Sequence, residues 1–272
     1  MSKKKVLIVT QEMQPYTVAS EIAEVARKLP QYVQENGMEI RVLMPRFGTI
    51  NERRHRLHEV VRLSGMNIIV DDDDFPLIIK VASLQEARLQ VYFLDNEDFF
   101  KRKSVFKDSE GNIHEDNIDR MVFFCKGVIE TVKKFGWPPD IVHCHGWMTS
   151  LIPLYLKTAY KSEPLFQQSK VIYSVYSNSL GKSLSGNFVE KATINNLSSE
   201  DLDAYINDNG LTLHEGAIAY SDGITYGSED IDGSVQQALN NADIPVLGYN
   251  GEEYLPTYLE FYNALLTEEV SE

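Results

Sequence analysis

Val6-Leu7-Ile8-Val9 is an unbroken apolar run behind Lys3-Lys4-Lys5. Such a run reads as a strand buried on both faces, the kind found in parallel sheets. From Ser20 to Glu35 the apolar side chains recur at Ile22, Val25, Ala26 and Leu29, the spacing of a helix with one buried stripe. Glu39–Met44 predicts the next strand, stopped by Pro45. Together these predict a βαβ unit with a right-handed crossover.

The pattern then changes period. Leu57–Leu63, Asn67–Val70, Pro76–Ser83 and Leu89–Leu94 are short strand-like pieces, with Asp71–Asp74 as a polar turn between two of them. Pieces this close leave no room for helical crossovers, so they are expected to pair as antiparallel hairpins or extend a sheet edge. Helical spacing returns over Asp116–Lys134, which ends in Lys133-Lys134, where cations suit a helix C-terminus. A strand at Ile141–Cys144, a helix at Trp147–Tyr160 and a strand at Lys170–Val175 follow. Ser179–Gly186 is rich in Gly and Ser and reads as a mobile loop. Gly223–Tyr226 predicts a further strand, Ser228 the cap of a helix reaching Asn240, and Glu252–Leu266 a closing amphipathic helix. The order predicts an α/β fold: a Rossmann-like, doubly wound, mostly parallel sheet with an antiparallel hairpin extension. It is expected to occupy residues 1–272 as one domain.

Composition narrows the partners. The chain has 272 residues and a formal net charge of −14. Duplex nucleic acid needs clustered Lys and Arg, and an anionic membrane would repel this chain, so neither is expected as a partner. No run approaches the roughly 18 apolar residues of a membrane span. Two cysteines in so long a chain do not make a disulfide framework, and a reducing cytoplasmic location is the simplest expectation.

Three segments invite a chemical reading. The turn after the first strand, Gln11–Glu24, contains no Gly, so a backbone cradle for phosphate is not expected there. Gly181-Lys182-Ser183 imitates the end of a P-loop but has Tyr176 where the pattern needs Gly. His143-Cys144-His145 places two imidazoles on one strand face at the end of a parallel strand, where ligands bind. Without further ligands at known spacing it predicts no metal site. A structural role suits His143, and a site role is assigned to His145. For Asp116, at the start of its helix, an N-cap and an acceptor for sugar hydroxyls are equally open readings.

At this point the residues resemble a known family. Lys5–Thr10 with Glu12-Met13-Gln14-Pro15-Tyr16 looks like the opening of bacterial glycogen and plant starch synthases. Arg41–Phe47, Val91–Asp95 and Asp116-Asn117 with Arg120 add to it, and Asp140–His145 with Trp147 is the most specific match. The resemblance runs to about Ile231 and implies the N-terminal half of a two-domain GT-B glucosyltransferase. It implies α-glucan and nucleotide-glucose as ligands, the latter as donor substrate, and no cofactor. By position, it implies that His145 and Asp116 contact sugar on the glucose and acceptor side.

The departures matter equally. The family's Lys-Thr-Gly-Gly-Leu donor loop aligns its Lys with Val18 and its glycines with Ser20 and Glu21. A carboxylate there repels pyrophosphate. Gly146 stands for the Asp of the His-Asp-Trp run, and Tyr176 for a His. The chain is therefore expected to have a degenerate donor loop and no assignable catalytic residue. The family's C-terminal half is expected to be absent, with activity requiring a protein partner or a second copy. The alternative is a non-catalytic glucan-binding or regulatory relative.

Overall fold

The computed structural model describes residues 3–84, 87–177, 180, 184 and 187–267. The first unit is β1 (Lys5–Thr10), α1 (Glu21–Glu35) and β2 (Glu39–Pro45). Ser20 caps α1 by accepting the Ala23 amide at 3.1 Å, and Ile22, Val25, Ala26, Leu29 and Val33 bury its stripe. All four residues of Val6–Val9 are buried. At about 1.5–3 kcal/mol for each large aliphatic side chain taken out of water, such strands dominate the stabilisation of the sheet.

The middle region contains α2 (Glu52–His55), β3 (His58–Glu59), β4 (Met66–Val70), β5 (Asp73–Leu84), β6 (Leu89–Asp95) and α3 (Glu97–Phe100). β5 pairs antiparallel with β3, β4 and β6, which is the expected hairpin extension. Two details differ from the sequence reading. Only His58 and Glu59 of Leu57–Leu63 form strand, because a turn follows in which the Leu63 amide bonds back to Val60. Asp73 and Asp74 belong to β5, paired with Val70 and Ile69, so the turn is Asp71-Asp72 alone. The ladder there runs through backbone groups and leaves the carboxylates in solvent.

Then come α4 (Asn117–Phe135), β7 (Ile141–His145), α5 (Leu151–Lys157), β8 (Lys170–Val175), α6 (Phe188–Ala192), the small pair β9 (Ile206–Asn207) and β10 (Gly210–Leu211), and α7 (Leu213–Ala219). Last are β11 (Gly223–Tyr226), α8 (Gly233–Asn241), β12 (Val246–Leu247) and α9 (Tyr254–Thr267). The expected helix at Trp147–Tyr160 is a 3-10 turn, Trp147–Thr149, followed by the short α5. Pro153 lacks an amide hydrogen and suits only a first helical turn, which fits a helix starting at Leu151. Ser228 does not cap α8. Its hydroxyl binds Glu21, and Asp232 caps the helix instead, accepting the Ser234 amide at 3.1 Å. α9 starts at Tyr254 rather than Glu252, after a 3-10 turn at Gly251–Glu253. The expected loop Ser179–Gly186 lies outside the described residues except for Leu180 and Leu184.

Among the described residues the main sheet runs β12-β11-β8-β7-β1-β2-β6-β5-β3, with β4 also on β5. From β12 to β6 every pairing is parallel. The chain leaves β1 towards β2 and later returns on the other side as β7. The strand order reverses between β1 and β7, so a ligand crevice is expected above their C-terminal ends. Thr10 and His145 face each other there.

Candidate functional site

His145 closes β7 and is fully buried. Its Nδ1 lies 2.9 Å from the Tyr176 hydroxyl, and its Nε2 has no hydrogen-bond partner among the described residues. Burial pushes its pKa down to about 3, so the ring is neutral at physiological pH. The next residue, Gly146, has φ of 88° and ψ of 159°, a conformation open in practice to Gly alone. A Cβ at Gly146 would overlap the side chain of Gln11. Gln11 is itself fully buried, and its Oε1 accepts the Met148 amide at 3.1 Å. The space a side chain at position 146 would fill is thus taken by the amide of Gln11, the residue that follows β1.

His143 lies on the same strand face, with its ring 4.0 Å from that of His145. Nδ1 meets the Tyr262 hydroxyl at 2.5 Å and Nε2 the Ser174 hydroxyl at 2.7 Å. Ser174 continues to Thr225 at 2.6 Å. Tyr258 stacks on the His143 ring at 5.7 Å. Burial, and secondarily His145, holds the His143 pKa well below the usual imidazole value. Every nitrogen of His143 is partnered, in agreement with the structural role expected of it. Cys144 points to the other face, with burial raising its thiol pKa. Among the described residues no three His, Cys, Asp or Glu side chains are grouped to hold a metal ion.

Asp116 precedes α4 and makes no capping bond. Both its oxygens instead accept from the Arg102 guanidinium, one at 2.8 Å from Nη1 and the other from Nη2. Behind it, the buried Arg120 donates to the Val105 carbonyl at 2.6 Å and Asn117 Oδ1 at 2.7 Å, between the rings of Phe47 and Phe100. Burial lowers even its pKa to about 10, with Asp116 acting in the opposite direction. These contacts clamp the segment from Arg102 to Asp116 against the helix start. Phe106 of that segment meets the Trp147 ring at 4.9 Å.

A crevice of about 360 Å³ sits above the switch point, lined among others by Gln11, Glu12, Val18, Phe106, Lys107 and Trp147. Val18 is 81% exposed at its edge. Neither His145 nor Asp116 is among its described lining residues. Gln11 and Tyr176 hold His145 beneath it, and Arg102 occupies Asp116. Lys107 and Gln11 are site residues that sequence reasoning passed over. For Gln11 the signal was present: it directly follows the first strand.

The start of α1 is acidic. Ser20 donates to Glu12, while Glu21 accepts from Ser228 across the fold. Where a phosphate could dock on helical amides, the chain places its own carboxylates and the Ser20 cap.

A family model described as the starch synthase catalytic domain matches residues 5–242. A glycogen synthase of Chlorobaculum tepidum is 37% identical over 264 residues, which is 96% of this chain and 52% of that protein. Another, from Chlorobium phaeobacteroides, is 42% identical over 173 residues, 63% of this chain and 35% of the relative. This chain therefore spans no more than about half the length of these relatives. Among solved structures, the catalytic domain of starch synthase IV from Arabidopsis thaliana, bound to ADP and acarbose, superposes with a TM-score of 0.73. At 18% identity over 91% of this chain and 51% of that one, the likeness concerns the fold. The match over nearly the whole sheet, together with the parallel core and the hairpin edge, shows that the chain belongs to the starch synthase catalytic domain family, with the bacterial glycogen synthases among its relatives.

Proposed function

We propose that this chain takes part in α-glucan synthesis, in glucosyl transfer from a nucleotide-glucose to an α-1,4-glucan, as part of an assembly that completes the donor site. The observation that carries this reading is family membership over residues 5–242, with a crevice at the switch point edged by Trp147 and Lys107. Transfer requires positive groups for the leaving diphosphate. At the start of α1 the described residues offer Val18, Ser20 and Glu21 in place of a cation. Lys107 supplies one positive group across the crevice. His145 acts from beneath the crevice floor and Asp116 through the loop it anchors.

A second reading, a glucan-binding or regulatory relative without donor chemistry, is favoured by the carboxylates of Glu12 and Glu21 at the α1 start. The test is incorporation of labelled glucose from ADP-glucose into glycogen by the purified chain, alone and with candidate partners, with His145→Ala as control. Incorporation that His145→Ala abolishes supports transfer. Retention by glycogen in a native gel without incorporation, under all these conditions, supports the second reading.

A further inference from the structure

A second cleft lies on the other side of the first βα turn, away from the crevice. It measures about 780 Å³ and is bounded by Tyr16, Arg54, His55, Arg56 and His58, with Arg27 on its α1 wall. Its described lining carries the cationic side chains Arg54 and Arg56 beside the imidazoles of His55 and His58.

The neighbouring cations behave differently. Arg46 and Lys80 both bind Asp95 at 2.9 Å and share Glu52, so their charge is matched within the fold. Arg54 and Arg56 have no such carboxylate among the described residues. His55 is wedged edge-on against the Tyr16 ring at 5.0 Å, and its pKa is lowered by partial burial and by Arg54. The backbone agrees: Arg56 ends α2 in the left-handed region at φ 55°, where Gly or Asn is the ordinary choice. Arg56 lines the same cleft as Arg54.

We propose that this cleft binds a small phosphate-bearing anion, with Arg54 and Arg56 as the phosphoryl-binding groups and His55 and His58 beside them. Guanidinium forks match phosphate oxygens in geometry as well as charge. The volume fits a small molecule. A long polyanion is disfavoured by the net charge of −14 over the rest of the surface. The site is separate from the transferase reading and does not rest on it.

The test is calorimetric titration of the whole chain with inorganic phosphate and, separately, with pyrophosphate. A matched experiment follows the histidine ring signals by NMR. The expected result is saturable binding of at least one of the two, with the shifts confined to His55 and His58. Arg54→Ser/Arg56→Ser weakens it at least tenfold and leaves the melting temperature within a degree or two, since both side chains are exposed. Lys134→Ser/Lys161→Ser makes the same change in net charge elsewhere and leaves affinity unchanged. Preference for pyrophosphate over phosphate assigns the ligand to diphosphates, and the reverse to monoesters. The proposal is overturned by absence of binding at millimolar concentration, by equal affinity in the arginine double variant, or by equal weakening in the lysine pair.

Discussion

The Tyr262 hydroxyl and His143 Nδ1 meet at 2.5 Å across 119 residues of sequence, joining the last helix to a central strand of the sheet. Both side chains are fully buried. Removing the hydroxyl strands an imidazole nitrogen in a dry interior, which typically costs about 1–3 kcal/mol. Tyr262→Phe is therefore expected to lower stability by about that amount in urea unfolding, although it alters the final helix, outside the matched family region. A loss below measurement error would show that α9 does not anchor β7.

Gly146→Ala tests the crowding at the switch point. The new methyl meets Gln11, and the positive φ of 88° penalises any side chain. Strain and overpacking together predict a loss of about 2–4 kcal/mol. In Gln11→Ala/Gly146→Ala the clash is gone while the backbone strain remains. The double variant is expected to be more stable than the sum of the two single losses. Simple additivity would separate the two residues.

Acid should destabilise the fold through its buried imidazoles. In the unfolded chain each takes a proton near pH 6.5, whereas burial delays this to about 4 in His214 and about 3 in His145. Between these values the unfolded state binds more protons, so stability is full above pH 6.5 and falls as pH drops. The limiting slope is about 1.4 kcal/mol per pH unit for each such group. His214→Gln is expected to lose less stability than the parent between pH 7 and pH 5, measured by urea midpoints. An identical pH response in the two proteins would rule out His214 as a contributor.

Asp116→Asn tests whether Asp116 has a part in glucan binding. Its pair with Arg102 is about 30% exposed on each side. Such pairs contribute only about 0–1 kcal/mol. Unfolding free energy is expected to change by less than about 1 kcal/mol, while retention on immobilised glycogen falls because the Arg102–Asp116 segment loosens. Unchanged retention would leave Asp116 with no part in glucan binding.

Val18→Lys places a cation at an exposed position beside the α1 start, so stability should change by less than about 0.5 kcal/mol. The expected gain is tighter binding of ADP-glucose, read as a larger thermal shift with ligand than in the parent. An equal shift would mean that a cation at position 18 does not govern donor binding.

Much of this protein could be read from sequence because its signals are local. Val6–Val9 and Lys170–Val175 are too apolar to be anything but interior strands, and Ile22, Val25, Ala26 and Leu29 define one helix face. The match around Asp140–His145 carried the family. What failed was also local in appearance but decided at a distance. Ser228 has the chemistry of a cap, yet Glu21 competes for its hydroxyl from the far side of the fold. For Asp116, left open between a cap and a sugar acceptor, Arg102 takes both oxygens and no capping bond forms.

The sequence by itself determined the alternation of strands and helices, the hairpin edge, and the absence of Gly from Gln11–Glu24. Each depends on residue type and spacing along a few turns of chain. Only the tertiary structure decided that Gln11 fills the space beside Gly146, that Tyr262 reaches His143, and that Arg54 and Arg56 line one cleft. Hydrogen bonding and charge neutralisation depend on separations of a few ångströms between residues far apart in sequence. Those separations exist only once the sheet has set its strand order.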